Sequence, residues 1–351
     1  MKLSNSKVGT YQRCPKKYEF GYVLRLERKK KSEHLEKGSW LHTLLEVHYA
    51  DDPAKVIEVG RKRRKVRVGR DWRKAHRALT QEFNNLFEEE RSELGDLPTE
   101  CERIMRSYLA RYAEEDAGEE TIAVELDEWV TLPNGDEFNF IIDQVLRKPD
   151  GGIWLRDHKS LGQFMPPEYM MLDTQLARYF WAFKRIKRFA SLAPKLRGVE
   201  FNELRTKAPT IPEVVDNGKR LTKRANLDTD YPTFVRAIKD NGFDPKDYRD
   251  ILTRLKQQDD RFFRRTTLPR DTPIVRQMMV DMLVTSAHIK RDEASGNFVR
   301  TVDKSCTWGC DFYELCAVDL HGGDISDIIS LKYDVRERRS TRNAKPRATR
   351  R

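Results

Sequence analysis

Three β-forming segments separated by two short turns occupy the middle of the chain and restrict the folds open to it. Residues 121–132 are rich in β-formers and end at Pro133-Asn134-Gly135-Asp136, a turn signal. Residues 137–147 follow, with Phe138, Phe140, Ile141, Ile142 and Val145. Lys148-Pro149-Asp150-Gly151-Gly152 is the second turn, and residues 152–158 form the third strand. The spacing predicts an antiparallel meander. Two acids sit in it: Asp143 interrupts the apolar run of the second strand and Asp157 ends the third. Both lie equally far from Asp150, so a hairpin about that turn sets them opposite one another. Carboxylates so placed repel, and such a pair holds a cation or shares a proton. Lys159 follows on the same strand face as Asp157. Two hard oxygen ligands beside an ammonium suit metal-assisted attack on a phosphodiester. The plainer readings are a salt bridge from Lys159 to one aspartate, or solvent-facing edge positions for the acids.

The flanking segments read mostly as helix. Residues 4–22 predict a short helix capped by Ser4 or Ser6, a break at Cys14-Pro15 and a second short helix. Residues 35–50 carry Leu41, Leu44, Leu45 and Tyr49 at helical spacing. Residues 54–92 and 97–115 are expected to be helical, as are 168–189 after Pro166-Pro167 and 231–290. Residues 199–205 are a further strand, and 206–230 are polar and irregular. The order of elements gives an α/β chain: a mixed central sheet with a β-meander, flanked by helices, plus helical additions. We expect one domain over 1–330, with its core at about 35–205, a helical insertion at about 206–290, and cysteine-bearing ends at 1–22 and 300–320. Residues 331–351 are basic, with an end from 336 that lacks large apolar residues, and read as a disordered tail.

The formal net charge is +11, which favours a polyanionic partner, nucleic acid first. No run approaches the roughly 18–20 apolar residues that span a bilayer, and the N-terminus lacks the apolar stretch of a signal peptide, so a cytoplasmic protein without membrane association is expected. Five cysteines in such a chain argue against a disulfide framework.

Four further constellations stand out. His42 lies on the 35–50 helix one turn before Glu46, after Gly38-Ser39, which allows close backbone approach; a neutral imidazole there can ligate a metal. Gln175 and Tyr179 share a helix face and can orient a phosphate or a catalytic group. Cys306, Cys310 and Cys316 are spaced C-x3-C-x5-C; with Cys14 as fourth ligand they make a tetrathiolate set for zinc or an iron–sulfur cluster. Cys101 sits in a helical pattern and reads as core. The run Arg61, Lys62, Arg63, Arg64, Lys65 and Arg67 is either a solvated helix face or a track for a phosphate backbone, with Trp72 either packing in the core, the plainer reading, or stacking on a base. Taken singly, His42 and the Gln175–Tyr179 pair have ordinary structural readings as interfacial polar groups.

Together these residues resemble the PD-(D/E)XK nuclease superfamily, in particular its RecB-like branch with a four-cysteine iron–sulfur cluster. Tyr11-Gln12-Arg13-Cys14-Pro15-Lys16-Lys17-Tyr18 is similar to the opening cysteine segment, and Gly38 to His42 to the G-x-x-x-H motif. Ile142-Asp143 matches the first acidic motif, Asp157-His158-Lys159 the D/E-x-K motif, and Gln175 to Tyr179 the Q-x-x-x-Y motif. The three late cysteines close the series, with a first gap of x3 where many relatives have x2. The resemblance implies a restriction-endonuclease-like core in which His42, Asp143 and Asp157 hold Mg²⁺ or Mn²⁺, with the His158 carbonyl a further ligand. It implies catalytic roles for Asp143, Asp157, Lys159, Gln175 and Tyr179, and a structural [4Fe–4S] cluster, or Zn²⁺ in its place, on Cys14, Cys306, Cys310 and Cys316. The implied activity is an exonuclease on DNA ends or single strands, with recombination or replication proteins as partners. The chain is most similar to phage-encoded stand-alone members, whose location would be the host cytoplasm. The competing expectation is a DNA- or partner-binding protein on the same fold that no longer cuts.

Overall fold

The computed structural model describes residues 1–29, 33–60, 63–224, 226–258, 260–270 and 272–336. The chain divides into two compact units, Ser32–Val280 and the pair of ends Met1–Lys31 with Asp281–Arg351. It is a mixed α/β fold with a central sheet flanked by helices.

The unit 32–280 begins with helix α1 (Glu33–Tyr49), which buries Trp40, Leu41, Leu44 and Leu45. A hairpin of β1 (Val56–Val59) and β2 (Arg64–Arg67) follows, then helices α2 (Trp72–Asn84) and α3 (Leu97–Ala117), which pack on α1 and on each other. The hairpin corrects the helix expected over 54–92. Val56-Ile57-Glu58-Val59 alternates, with Ile57 and Val59 buried and their neighbours outward, a period of two that wins over the helix-forming bases beside it. Gly60 at φ 71° and Arg63 at φ 49° turn the chain.

The sheet is ordered β3 (Glu120–Thr131), β4 (Glu137–Arg147), β5 (Ile153–Leu161), β6 (Leu196–Arg205), β7 (Phe263–Pro269). The meander β3–β4–β5 is antiparallel as expected, β6 runs parallel to β5, and β7 is antiparallel to β6. The strand β7 corrects the continuous helix expected over 231–290. Its Phe-Arg-Arg-Thr-Thr-Leu-Pro sequence begins with an aromatic residue and has two β-branched threonines at its centre, and the final proline suits an edge. Part of the expected insertion is therefore sheet. Gly198 lies where strands crowd: a Cβ there would stand 2.4 Å from the Leu268 carbonyl oxygen.

The parallel step from β5 to β6 runs through two helices, α4 (Pro167–Leu172) and α5 (Thr174–Phe183), not one. Asp173 is extended between them, and its side chain caps α5 by accepting from the Leu176 N–H. The cap starts a new helix where sequence periodicity alone runs on. α5 packs on β4, β5 and β6.

Successive residues of β5 serve opposite faces. His158 stacks on Tyr49 of α1 at 5.8 Å between ring centroids, while Lys159 reaches Gln175 of α5. Beneath the first face is a buried ionic group. Arg156, fully buried, donates to Glu200 at 2.5 Å, to both Glu119 oxygens at 2.8 and 2.9 Å, and to Gln144 at 3.2 Å. Lys148 also donates to Glu200, and despite burial these cations hold the Glu200 carboxyl below its usual range.

In the unit of the two ends, helix Asn5–Arg13 is capped by Ser4, and Cys14 separates it from Pro15–Tyr18 as expected. Residues 331–336, expected to open a disordered tail, are structured: Tyr333–Val335 pairs with Leu26–Arg28. The remaining tail, 337–351, lies outside the described residues. Among the described residues no helix is long and apolar enough to cross a membrane.

Arg156→Ala would leave Glu119 and Glu200 buried without their main counter-charge. We expect a loss of about 3–5 kcal/mol in urea unfolding, partly restored by adding Glu200→Gln. An unchanged midpoint would show that the ionic group does not stabilise the sheet.

Candidate active site

Strand register brings the acids together. The β4–β5 ladder ends at Gln144↔Arg156, so Asp143 and Asp157 stand one position beyond it, across from each other as the turn at Asp150 predicts. Asp143 Oδ2 accepts the His158 N–H at 2.7 Å. His42, half-buried on α1, places Nδ1 at 3.7 Å from the same oxygen. Gly38 is not required for close approach: a Cβ there would meet Ser160 Cβ at an ordinary 3.8 Å. Glu46 pairs with Lys55.

On the other side, Lys159 Nζ lies 2.7 Å from Asp157 Oδ2 and donates to Gln175 Oε1 at 3.3 Å. That contact fixes the Gln175 amide, whose nitrogen donates to Asp157 Oδ1 and to Tyr179 Oη, each at 3.2 Å. Lys159 and Asp157 thus form a close ion pair within the site. All six residues expected at the site therefore gather at the C-terminal part of β5.

Sequence reasoning missed Glu125. It sits on β3 between the pairs Val124↔Gln144 and Leu126↔Ile142, hence across from Asp143. Its φ of 46° is left-handed, unusual for a non-glycine residue within a strand. One ligand atom each from His42, Glu125 and Asp143 lie within 4.8 Å of one another. A signal was present: Glu125 and Asp143 are equidistant from Asn134 in the first turn, as Asp143 and Asp157 are from Asp150 in the second. Glu125, Asp143 and Asp157 thus form a row across three strands.

The row sets the electrostatics. Burial, then the neighbouring Asp157 and Glu125, push the Asp143 pKa well above the carboxylate range, against the His158 N–H and Lys159. Burial, then Glu46, with Asp127 and Asp157, raise Glu125 from 4.5 to about 7. Burial lowers the His42 pKa and Lys159 adds to this, which keeps the imidazole neutral near pH 7 and able to ligate. Burial opposes the Lys159 charge, yet Asp157, Asp143 and Asp173 raise its pKa and keep it an ammonium. One imidazole nitrogen and hard carboxylate oxygens, converging and short of positive charge, fit a Mg²⁺- or Mn²⁺-type ion.

A model of the PD-(D/E)XK nuclease superfamily matches residues 2–317. The chain belongs to this superfamily. A solved structure similar to it is that of a "Putative exonuclease" from Eubacterium rectale, 11% identical, covering 92% of this chain and 93% of that one at a TM-score of 0.45. None of the curated proteins compared with the chain matches it.

The cysteines lie in the unit of the two ends. Cys14, Cys306, Cys310 and Cys316 line one cavity of about 250 Å³, with Arg13, Lys17 and Arg300 in its wall. None of the four is in a disulfide. The Thr301 N–H points at the Cys14 sulfur at 3.4 Å and the Asp303 N–H at the Cys306 sulfur at 3.5 Å. Among the described residues no three of these sulfurs lie within 4.8 Å of one another. Cys101 is buried in the core of the other unit, and so is Trp72.

Of the basic run, Arg61 and Lys62 lie outside the described residues. Arg63 pairs with Glu58 at 3.9 Å and Arg64 with Glu82 at 2.9 Å, while Lys65 and Arg67 are exposed on β2. The structure therefore places the described part of this run, Arg63 to Arg67, on a hairpin, not on the helix face expected, and partly neutralises it.

A carboxyl with a raised folded pKa costs stability once pH exceeds the unfolded value. For Glu125 the folded chain retains, between about pH 4.5 and 7, a proton the unfolded chain has released, so stability without metal falls across that window. In EDTA, Glu125→Gln should stabilise by up to about 3 kcal/mol at pH 8 and by nearly nothing at pH 4, read by urea unfolding. A difference independent of pH would show that the Glu125 carboxylate is not strained by its surroundings.

Proposed function

We propose that the chain is a Mg²⁺- or Mn²⁺-dependent deoxyribonuclease that acts on DNA ends or single strands. The observation that carries this reading is the unbroken set Lys159–Asp157–Gln175–Tyr179 beside the converging His42, Glu125 and Asp143. A pseudo-enzyme that only bound DNA would have no need to keep a charged lysine and an oriented glutamine on the acidic row.

His42 and Asp143, with Asp157 Oδ2 across the strand gap and Glu125 beside them, are the residues that would hold the cation. When bound, the ion would polarise a scissile phosphate and acidify an attacking water. The protein's own groups do the rest. Lys159, held as an ammonium, meets the charge that develops on phosphate oxygen. Gln175 fixes Asp157 and Lys159 relative to each other, and Tyr179 fixes Gln175. The His158 N–H holds Asp143 in place. The net charge of +11 favours a polyanionic substrate. Recombination or replication proteins are the partners that such an activity would serve, in the cytoplasm, of a host cell if the gene belongs to a phage.

We further assign the cysteine cavity to a [4Fe–4S] cluster. A single zinc ion with bonds of about 2.3 Å would draw its sulfurs to within about 4 Å of each other. The wider spread of the four sulfurs, the cavity they line and the basic groups in its wall favour a larger, anionic occupant.

Two measurements test these assignments. On end-labelled linear DNA with Mg²⁺ or Mn²⁺, Asp157→Ala and Lys159→Ala should each lower the rate by about 10²–10³ with folding intact. Wild-type rates in both variants would remove the site, and cutting of closed circles would replace the end-dependent mode by internal cutting. Anaerobically purified protein should be brown, with broad absorption near about 400 nm that Cys310→Ser abolishes along with the iron. A colourless, zinc-rich preparation would overturn the cluster.

A further inference from the structure

Helix α4 presents apolar side chains to solvent beside the acidic row. Tyr169 is 59% exposed, Met171 58% and Leu172 69%, while Met170 between them is fully buried. Single exposed apolar residues are ordinary, but three in one six-residue helix form a patch that calls for an occupant. The patch is held from behind: Arg270 donates to the Met170 and Met171 carbonyls at 3.2 and 3.1 Å, and Arg264 to the Met165 carbonyl at 2.6 Å. It also adjoins the site. Leu172 is followed directly by Asp173, the cap of α5, whose carboxyl is close enough to Asp157 and Lys159 to feel both charges.

Its chemistry rules out a phosphate track. From Pro166 to Asp173 the chain has two acids, Glu168 and Asp173, and no base, within a protein that carries a net +11. A polyanion backbone is repelled by such a segment, whereas unstacked nucleobases, which are apolar on their faces, are not. We propose that α4 is a platform for the bases of a single-stranded nucleic acid next to the reacting phosphate, with Tyr169 stacking and Met171 and Leu172 in apolar contact. This deepens, and rests on, the reading of the site as a deoxyribonuclease. It implies that the site takes single strands, or ends opened to expose their bases, and does so without sequence preference, because every base has a π-face.

The test compares an ordinary single-stranded oligonucleotide with one of equal length and charge whose central residues are abasic. Binding is read by fluorescence anisotropy in EDTA, and cleavage with Mn²⁺. Wild type should bind and cut the ordinary strand about tenfold better than the abasic one. The double variant Tyr169→Ala, Leu172→Ala should fall to the abasic level on the ordinary strand and stay within about twofold of wild type on the abasic strand. Tyr169→Phe, which keeps the ring, should retain the preference. A double variant that keeps the wild-type preference overturns the platform, as does a wild type that binds both strands equally. If sedimentation shows a wild-type dimer that the double variant dissociates, with base preference unchanged, the patch is a subunit interface instead. Base-dependent binding without cleavage under any divalent metal would reject the nuclease reading while leaving the platform in place.

Discussion

The constraint on which the site depends is the burial of like charges in register across a sheet. Glu125, Asp143 and Asp157 occupy neighbouring positions on three adjacent strands, Asp157 buried and the other two half-buried. Carboxylates at such spacing cost free energy unless each is compensated. The compensation is uneven. Asp157 has Lys159 and Gln175, Asp143 has a backbone N–H, His42 and the more distant Lys159, and Glu125 has the more distant Lys55. The strand that carries least compensation is also the one whose backbone departs from β geometry, at the Glu125 φ of 46°. The deficit of positive charge is concentrated where His42, Glu125 and Asp143 converge, and a proton or a cation there relieves it.

The opposite arrangement underlies β5 on its other face. Arg156 and Arg265 bring positive charge into the core and are met there by excess acceptors. Arg265 reaches Asp116 at 2.6 Å, the hydroxyls of Tyr49 and Tyr108 at 2.9 and 2.8 Å, and Asn202 at 3.3 Å. Because Arg265 donates to Asn202 Oδ1, the Asn202 amide nitrogen faces the His158 ring, 2.7 Å away. His158 is thereby held from the side as well as stacked by Tyr49, and it is the His158 N–H that positions Asp143. Full burial lowers the His158 pKa far below its ordinary range, and the nearby His42, Arg156 and Arg265 act in the same direction, so the ring adds no positive charge behind His42 and Asp143. The satisfied network fixes geometry; the unsatisfied row supplies chemistry.

Much of this was legible in the sequence because the meander's turns are strong local signals. Pro133-Asn134-Gly135-Asp136 and Lys148 to Gly152 determine two hairpins, and a hairpin's register follows from its turn. The same rule that paired Asp143 with Asp157 also pairs Glu125 with Asp143, but Glu125 lies in a stretch already rich in acids, Glu125, Asp127 and Glu128, where no single one stands out without the first turn's register. What stayed hidden was set by tertiary contact. β7 is a strand because β6 offers it an edge, and its two arginines gain partners there, Arg264 with Glu203 and Arg265 with Asp116. The break at Asp173 depends on a side-chain cap whose strength periodicity does not register. The β1–β2 hairpin was masked by a basic run whose composition is that of a helix face.

The two compact units separate two kinds of donor. Unit 32–280 offers carboxylates and one imidazole, ligands for a hard divalent ion that must exchange substrate oxygens. The unit of the chain ends offers four sulfurs around one cavity, two of them met by backbone N–H groups, a donor set of the kind soft metals favour. A cluster held by Cys14 together with Cys306, Cys310 and Cys316, as proposed, would close a loop that contains nearly the whole chain. Closing a loop of that length removes more unfolded-state entropy than a short one does, though only logarithmically. The benefit is local instead. The helices Pro15–Tyr18, Cys306–Gly309 and Tyr313–Leu320 span 4, 4 and 8 residues, too short to persist in isolation, and all three are pinned by a cysteine at or next to a terminus or within the helix. Ligation by the proposed cluster would add order at these cysteines that the small apolar cluster around Phe20, Phe312 and Leu315 gives only in part.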